Sequence, residues 1–161
     1  MSTLEDLRGG IARFWDSVAE GWRHLISRAS GALTRFHPSK PDERGGVLEV
    51  VRSSEWGLLA ADLFDDSEKV VVRLEAPGME LEDFDLCIHD EMLIVRGEKR
   101  YQSERSEGDY QIAECAYGVF ERAIPLPDSV DGGQASAKYR NGVLRVEIPK
   151  TSGKRHKIKI D

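Results

Sequence analysis

Apolar positions in the first part of the chain recur at Leu4, Leu7, Ile11, Phe14, Trp15, Val18, Trp22, Leu25, Ile26, Ala29, Leu33 and Phe36, in steps of three and four. That is the period of a helix with one apolar face, and it predicts a helical arm over residues 1–36. Ser2 and Thr3, each followed three residues later by a carboxylate, supply a capping box at its start. Gly9, Gly10, Gly21 and Gly31 each weaken a helix interior by about 1 kcal/mol, so the arm reads as two or three helical pieces. Residues 37–56 follow as a linker, opened by two prolines and the pair Gly45-Gly46.

From Leu58 onward the period changes to two. Val70, Val72, Leu74 and Ala76 alternate with Val71, Arg73 and Glu75 until Pro77-Gly78 stops the run. Phe84, Leu86 and Ile88 alternate with Asp85, Cys87 and His89, and similar runs cover 92–96, 119–126, 134–139 and 143–148. Short strands with no helical run between them predict an all-β, immunoglobulin-like antiparallel β-sandwich over residues 57–150. Asn141-Gly142 between Tyr139 and Leu144 predicts a two-residue hairpin, because a type I′ turn needs positive φ at both positions.

The stretch from Gly97 to Gly118 is long for a sandwich connection, and 102–109 is wholly polar. Within it Tyr110, Ile112 and Glu114 alternate with Gln111 and Ala113, a short strand with no evident partner in its own sheet. An unpaired strand on a long arm invites exchange with a second chain, which predicts a dimer.

The tail, residues 151–161, places Ile158 and Ile160 alternately with Lys157 and Lys159. One reading is a frayed terminus. The other is an extended peptide that adds along a sheet edge and drops two side chains into a groove. Two buried isoleucines supply about 3–6 kcal/mol before ordering costs. Alone that is a millimolar or weaker grip, useful only when repeated through many subunits. Thr151 to Lys157 could span about 23–25 Å and reach a neighbour.

Charge separates these pieces. The 161 residues carry a formal charge of -6, distributed as 0 over 1–56, -9 over 57–150 and +3 over 151–161. An acidic domain argues against nucleic-acid partners. The arm mixes arginines with carboxylates on its polar face, which makes a membrane-surface partner a poor fit. Glu5, Asp6, Asp16 and Glu20 in the first thirty residues argue against a secretory signal, so the expected location is cytoplasmic. Cys87 and Cys115 form no CxxC pair and suggest neither a disulfide framework nor zinc. His24, His37, His89 and His156 have no metal-ligand spacing, and no GxSxG, P-loop or GxGxxG motif occurs. The expectation is a protein without catalytic residues, metal or cofactor, not an enzyme.

Certain segments resemble a known family. They are Ala76-Pro77-Gly78-Met79, Leu93-Ile94-Val95-Arg96-Gly97-Glu98, Tyr117-Gly118-Val119-Phe120-Glu121-Arg122, Leu126-Pro127 and the run from Asn141 to Lys150. Together with Ile158-Lys159-Ile160 they look like the bacterial small heat-shock proteins, whose shared unit is the α-crystallin domain. The resemblance implies an ATP-independent holdase that binds partly unfolded client proteins. It implies dimers formed by exchange of the strand Tyr110-Gln111-Ile112-Ala113-Glu114, and larger homo-oligomers as Ile158 and Ile160 dock between the fourth and eighth strands, in the family's count, of another subunit. That groove would be edged by Phe84, Leu86, Ile88, Ala135, Ala137 and Tyr139. Clients would meet Trp15, Val18, Trp22 and Leu25 together with vacated grooves. Many members carry Arg where this chain has Cys115, which alters the ion pairing expected at the exchanged strand. The competing reading is a sandwich adaptor of the co-chaperone type, bound to one defined partner.

Overall fold

The structure is a computed structural model and describes residues 14, 16–24, 31–38, 55–101, 111–127 and 130–151. Among the described residues a helix over 16–24 precedes nine strands: β1 (Leu33–His37), β2 (Trp56–Leu58), β3 (Ala61–Asp65), β4 (Lys69–Glu75), β5 (Phe84–His89), β6 (Met92–Lys99), β7 (Gly118–Pro125), β8 (Ser136–Arg140) and β9 (Val143–Pro149). One sheet runs β2-β1-β7-β6-β5 and the other β3-β4-β9-β8, and every pairing is antiparallel. The expected sandwich is present.

Alternation fills the space between the sheets. Val70, Val72 and Leu74 of β4, Leu93 and Val95 of β6, Phe120 of β7 and Leu144 and Ile148 of β9 are each at most 1% exposed. Burying each such side chain contributes about 1.5–3 kcal/mol, which is why one run of alternating residues suffices to orient a whole strand. Gly97 lets β6 approach this core closely, since a Cβ there would lie 2.5 Å from Phe120 Cζ and 2.9 Å from Met79 Cε.

Asn141 and Gly142 have φ of 52° and 78°, the positive values a type I′ hairpin requires. A second two-residue hairpin, Asp90-Glu91 between β5 and β6, has φ of 47° and 62° without any glycine. Asp tolerates this region through its short polar side chain, whereas Glu has no such excuse and is held there by the β5–β6 pairing on either side.

One expectation is corrected. The helical arm does not extend through Leu33 and Phe36, because Leu33–His37 is a strand wedged between β7 and β2. Thr34 and Phe36 face inward, both 4% exposed, and the Phe36 ring meets Phe120 at 5.2 Å between centroids and 50° between planes. The step of three from Leu33 to Phe36 imitates a helix, but the alternation Thr34, Phe36 is what the core reads.

Candidate functional site

Each sheet ends in an edge strand on the same side of the sandwich, β5 in one sheet and β8 in the other. Between them lies a groove. Phe84, Leu86 and Ile88 point toward the interior from β5, and because no further strand among the described residues covers them they are only half-buried against the core. From β8, Ala137 and Tyr139 point the same way, opposite Val146 and Leu144 of β9. Ala137 and the preceding Ala135 are exposed, while Tyr139 is half-buried.

Tyr139 joins the two walls. Its ring meets that of Phe84 at 5.1 Å and 49°, and its hydroxyl donates to the Ala76 carbonyl oxygen at 2.8 Å. At the other end the short turn Gly132–Gln134 lies close to Ile88, since a Cβ at Gly132 would be 3.4 Å from that side chain. The Asp131 carboxylate fixes the turn by accepting from the Gly133 amide at 3.1 Å. The outcome is an apolar channel with one bulky wall and one lined by alanine. Among the described residues, neither bordering strand has a pairing partner on its outer side. Such an edge can hydrogen-bond an extended peptide while its alternate side chains enter the channel.

Of the six groove residues named from the sequence, Phe84 and Tyr139 are in contact, Leu86 and Ile88 share the face of Phe84 on β5, and Ala135 and Ala137 are exposed on and beside β8. Other predicted residues fare differently. Gln111 to Glu114 are exposed, with Ile112 74% exposed, and take no regular structure within the single chain. The chain re-enters the fold at buried Ala116, and Tyr117 stacks edge-on against Tyr101 at 5.3 Å. Val18 and Trp22 lie on the helix over 16–24 and are 44% and 62% exposed. Trp15, Leu25, Tyr110, Ile158 and Ile160 lie outside the described residues. The last described segment of chain is anchored by a bridge between Val130 and Lys150 and by Lys150 Nζ against Asp65 Oδ1 at 2.5 Å.

Two further residues escaped the sequence reading. Arg122 follows Phe120 in phase on β7 and so faces inward opposite Val95, with Nε and Nη1 buried and without a hydrogen-bond partner among the described residues. Burial pushes its pKa down. The in-phase spacing Phe120, Arg122, Ile124 was the available signal. Asp66 accepts from the backbone amides of Glu68 at 2.7 Å and Lys69 at 2.8 Å, which holds its carboxyl below the usual range and fixes the β3–β4 turn. Among the described residues there is no group of three or more His, Cys, Asp or Glu able to hold a metal ion, and no helix is long and apolar enough to cross a membrane.

Comparison with known proteins agrees with this architecture. The model of the Hsp20/alpha crystallin family matches residues 62–161. Small heat shock protein C2 of Rickettsia felis is 32% identical over 100 residues, covering 62% of this chain and 65% of that protein. The chloroplastic 26.7 kDa heat shock protein of Oryza sativa subsp. japonica is 32% identical over 163 residues, covering 99% of this chain and 59% of that protein. The chain thus spans less than two thirds of the length of these relatives. Among solved structures, heat shock protein 16.0 from Schizosaccharomyces pombe superposes with a TM-score of 0.54 at 29% identity, covering 64% of this chain and 97% of that one. A small heat-shock protein from Xylella fastidiosa, described as having a distinct high order structure, gives 0.54 at 25% identity over 65% and 97% of the two chains. With the family match extending over more than half of its residues, the chain belongs to the Hsp20/alpha crystallin family.

Proposed function

We propose that this protein is an ATP-independent holdase, which covers the exposed hydrocarbon of partly unfolded proteins and so prevents their aggregation. The observation that carries the proposal is the groove between β5 and β8: an apolar channel bordered by two unpaired strand edges, shaped for extended chain and not for a small molecule. Unfolded polypeptide offers both things it accepts, backbone hydrogen-bonding groups and intermittent apolar side chains. Heat exposes more client hydrocarbon, and apolar burial is non-directional, so no particular client sequence is needed. No hydrolytic step enters, because capture and release are both equilibria.

In the same proposal the groove's resting occupant is the tail of another subunit, with Ile158 and Ile160 in the channel. Dimers form by exchange of Tyr110 to Glu114 onto the outer side of β3, where Leu63 and Phe64 are 39% and 62% exposed. Clients meet the helical face of Trp15, Val18, Trp22 and Leu25 as well as vacated grooves. A cytoplasmic location completes it.

The test is light scattering by a heat-labile enzyme warmed with substoichiometric protein and no ATP. Suppression that grows with the ratio of chaperone to enzyme is expected. Scattering unchanged at every ratio, together with saturable binding to one folded protein, would replace the holdase with a dedicated adaptor.

A further inference from the structure

The outer face of the five-stranded sheet breaks the rule that the solvent side of an antiparallel sheet is polar. Cross-strand register places Cys87 of β5 opposite Ile94 of β6, Ile94 opposite Ala123 of β7, and Leu33 of β1 opposite Leu58 of β2. Continuing the β1–β7 register of Phe36 with Phe120 by three residues sets Leu33 beside Ala123. The five side chains point outward and form an unbroken apolar row across all five strands, about 19–20 Å wide at normal strand spacing. Leu33 and Leu58 are 52% and 56% exposed. In the next outward row Asp85, Arg96, Glu121 and Arg35 alternate in charge over four strands, with Arg96 Nε 2.5 Å from Glu121 Oε2, and exposed Trp56 ends the row on β2. A row that is apolar at five of five positions beside a regular charge ladder is a surface built to be covered.

The same chain carries a second uncovered apolar surface. Val18 and Trp22, one turn apart on the helix over 16–24, are exposed on the same side of it. This helix leads directly into the row, because Leu33 is nine residues after His24. Nine residues reach at most about 30 Å, which exceeds the width of the row and lets the helix lie along it without leaving its own subunit. A tether this short also gives the helix a high effective concentration over its own sheet.

We propose that this outer row is the seat of the arm helix of the same chain, which docks across the strands with Val18 and Trp22 on Ile94, Ala123 and Leu33. The seat is distinct from the β5–β8 groove, since the row points away from the core that the groove opens into. Docked, the helix hides both apolar surfaces; undocked, as the structure shows it, it exposes both. Resting on the holdase reading, this makes the helix a cover whose release exposes client-binding hydrocarbon on both surfaces at once.

Cys87, at one end of the row, is an exposed free thiol that reports the docked state. The experiment uses the full chain with Cys115→Ser and Val18→Cys, oxidised mildly with copper-phenanthroline at low temperature and analysed on non-reducing gels and by peptide mass. The expected result is an intrachain disulfide between positions 18 and 87, formed several-fold more than with Glu20→Cys on the opposite side of the helix. Leu33→Ser with Leu58→Ser, both at exposed positions, lowers that yield several-fold while the unfolding midpoint stays put. An interchain disulfide overturns the proposal in favour of a second copy's helix as occupant. A yield equal to the Glu20→Cys control overturns it outright. Aggregation suppression is measured separately on the unsubstituted chain, so cross-linking in the Val18→Cys variant together with an unsubstituted chain that fails to protect clients contradicts the holdase reading alone.

Discussion

Tyr139 allows the groove to be tested as a wall and as part of the core in one series. Removing only its hydroxyl, in Tyr139→Phe, leaves the carbonyl of Ala76 without the donor at 2.8 Å, in a residue 1% exposed. An unsatisfied buried acceptor costs about 1–3 kcal/mol, and the ring stays against Phe84. Tyr139→Ala removes the ring as well. The lost aromatic pair and the partial burial of a half-exposed ring bring the total to about 3–5 kcal/mol. Urea unfolding at fixed protomer concentration reads these differences, and native mass by light scattering reads assembly on the same samples. If the ring is a wall of the docking channel, the Phe variant loses stability but keeps its assembly mass, whereas the Ala variant loses both. A Tyr139→Ala protein destabilised as expected yet unchanged in mass refutes the reasoning, because the ring would then be core filler beside an unused surface.

Further predictions concern the tail, the core and acid. Ile158→Ala with Ile160→Ala shrinks the native assembly toward dimers in light scattering, with only the small loss of stability that giving up a weakly docked peptide entails. Gly97→Ala drives a Cβ into Phe120 and Met79 and destabilises the sandwich by about 1–3 kcal/mol in urea unfolding, the usual cost of overpacking. The carboxyl of Asp66, held low chiefly by the Lys69 and Glu68 amides, has a folded pKa below its unfolded one. Its stabilisation is present above the ordinary Asp range and is lost as pH falls through it. Stability measured from neutral pH down through about pH 4 should therefore fall more steeply in the wild type than in Asp66→Asn.

The strand series was legible because burial on one face writes itself as a period of two, as in Val70, Val72, Leu74 and in Phe84, Leu86, Ile88. The Asn141-Gly142 hairpin was legible from the φ its turn demands, while Asp90-Glu91 was not, having no glycine to mark it. Leu33 and Phe36 misled because three residues is a step shared by helices and by the two faces of a strand. The β5 wall of the groove could be read from alternation, but the exposure of Ala135 and Ala137 depends on β8 lying at an edge, which is a fact of topology. Arg122 was hidden because a charge in an inward phase contradicts the pattern that would locate it. The apolar row on the outer sheet face is legible in no single strand: each contributes one residue, and only register assembles them.

In the proposed function the channel between β5 and β8 is held loosely by one peptide and yielded to another. Hydrogen exchange resolved by strand tests it most directly, comparing the assembled full chain with the Ile158→Ala, Ile160→Ala variant at low temperature and on warming with a heat-unfolded client. The claim predicts that amides of β5 and β8 are protected in the assembled chain, exposed in the variant, and protected again when client binds, while β4 and β9 do not change. Equal protection of β5 and β8 in all three samples would contradict it.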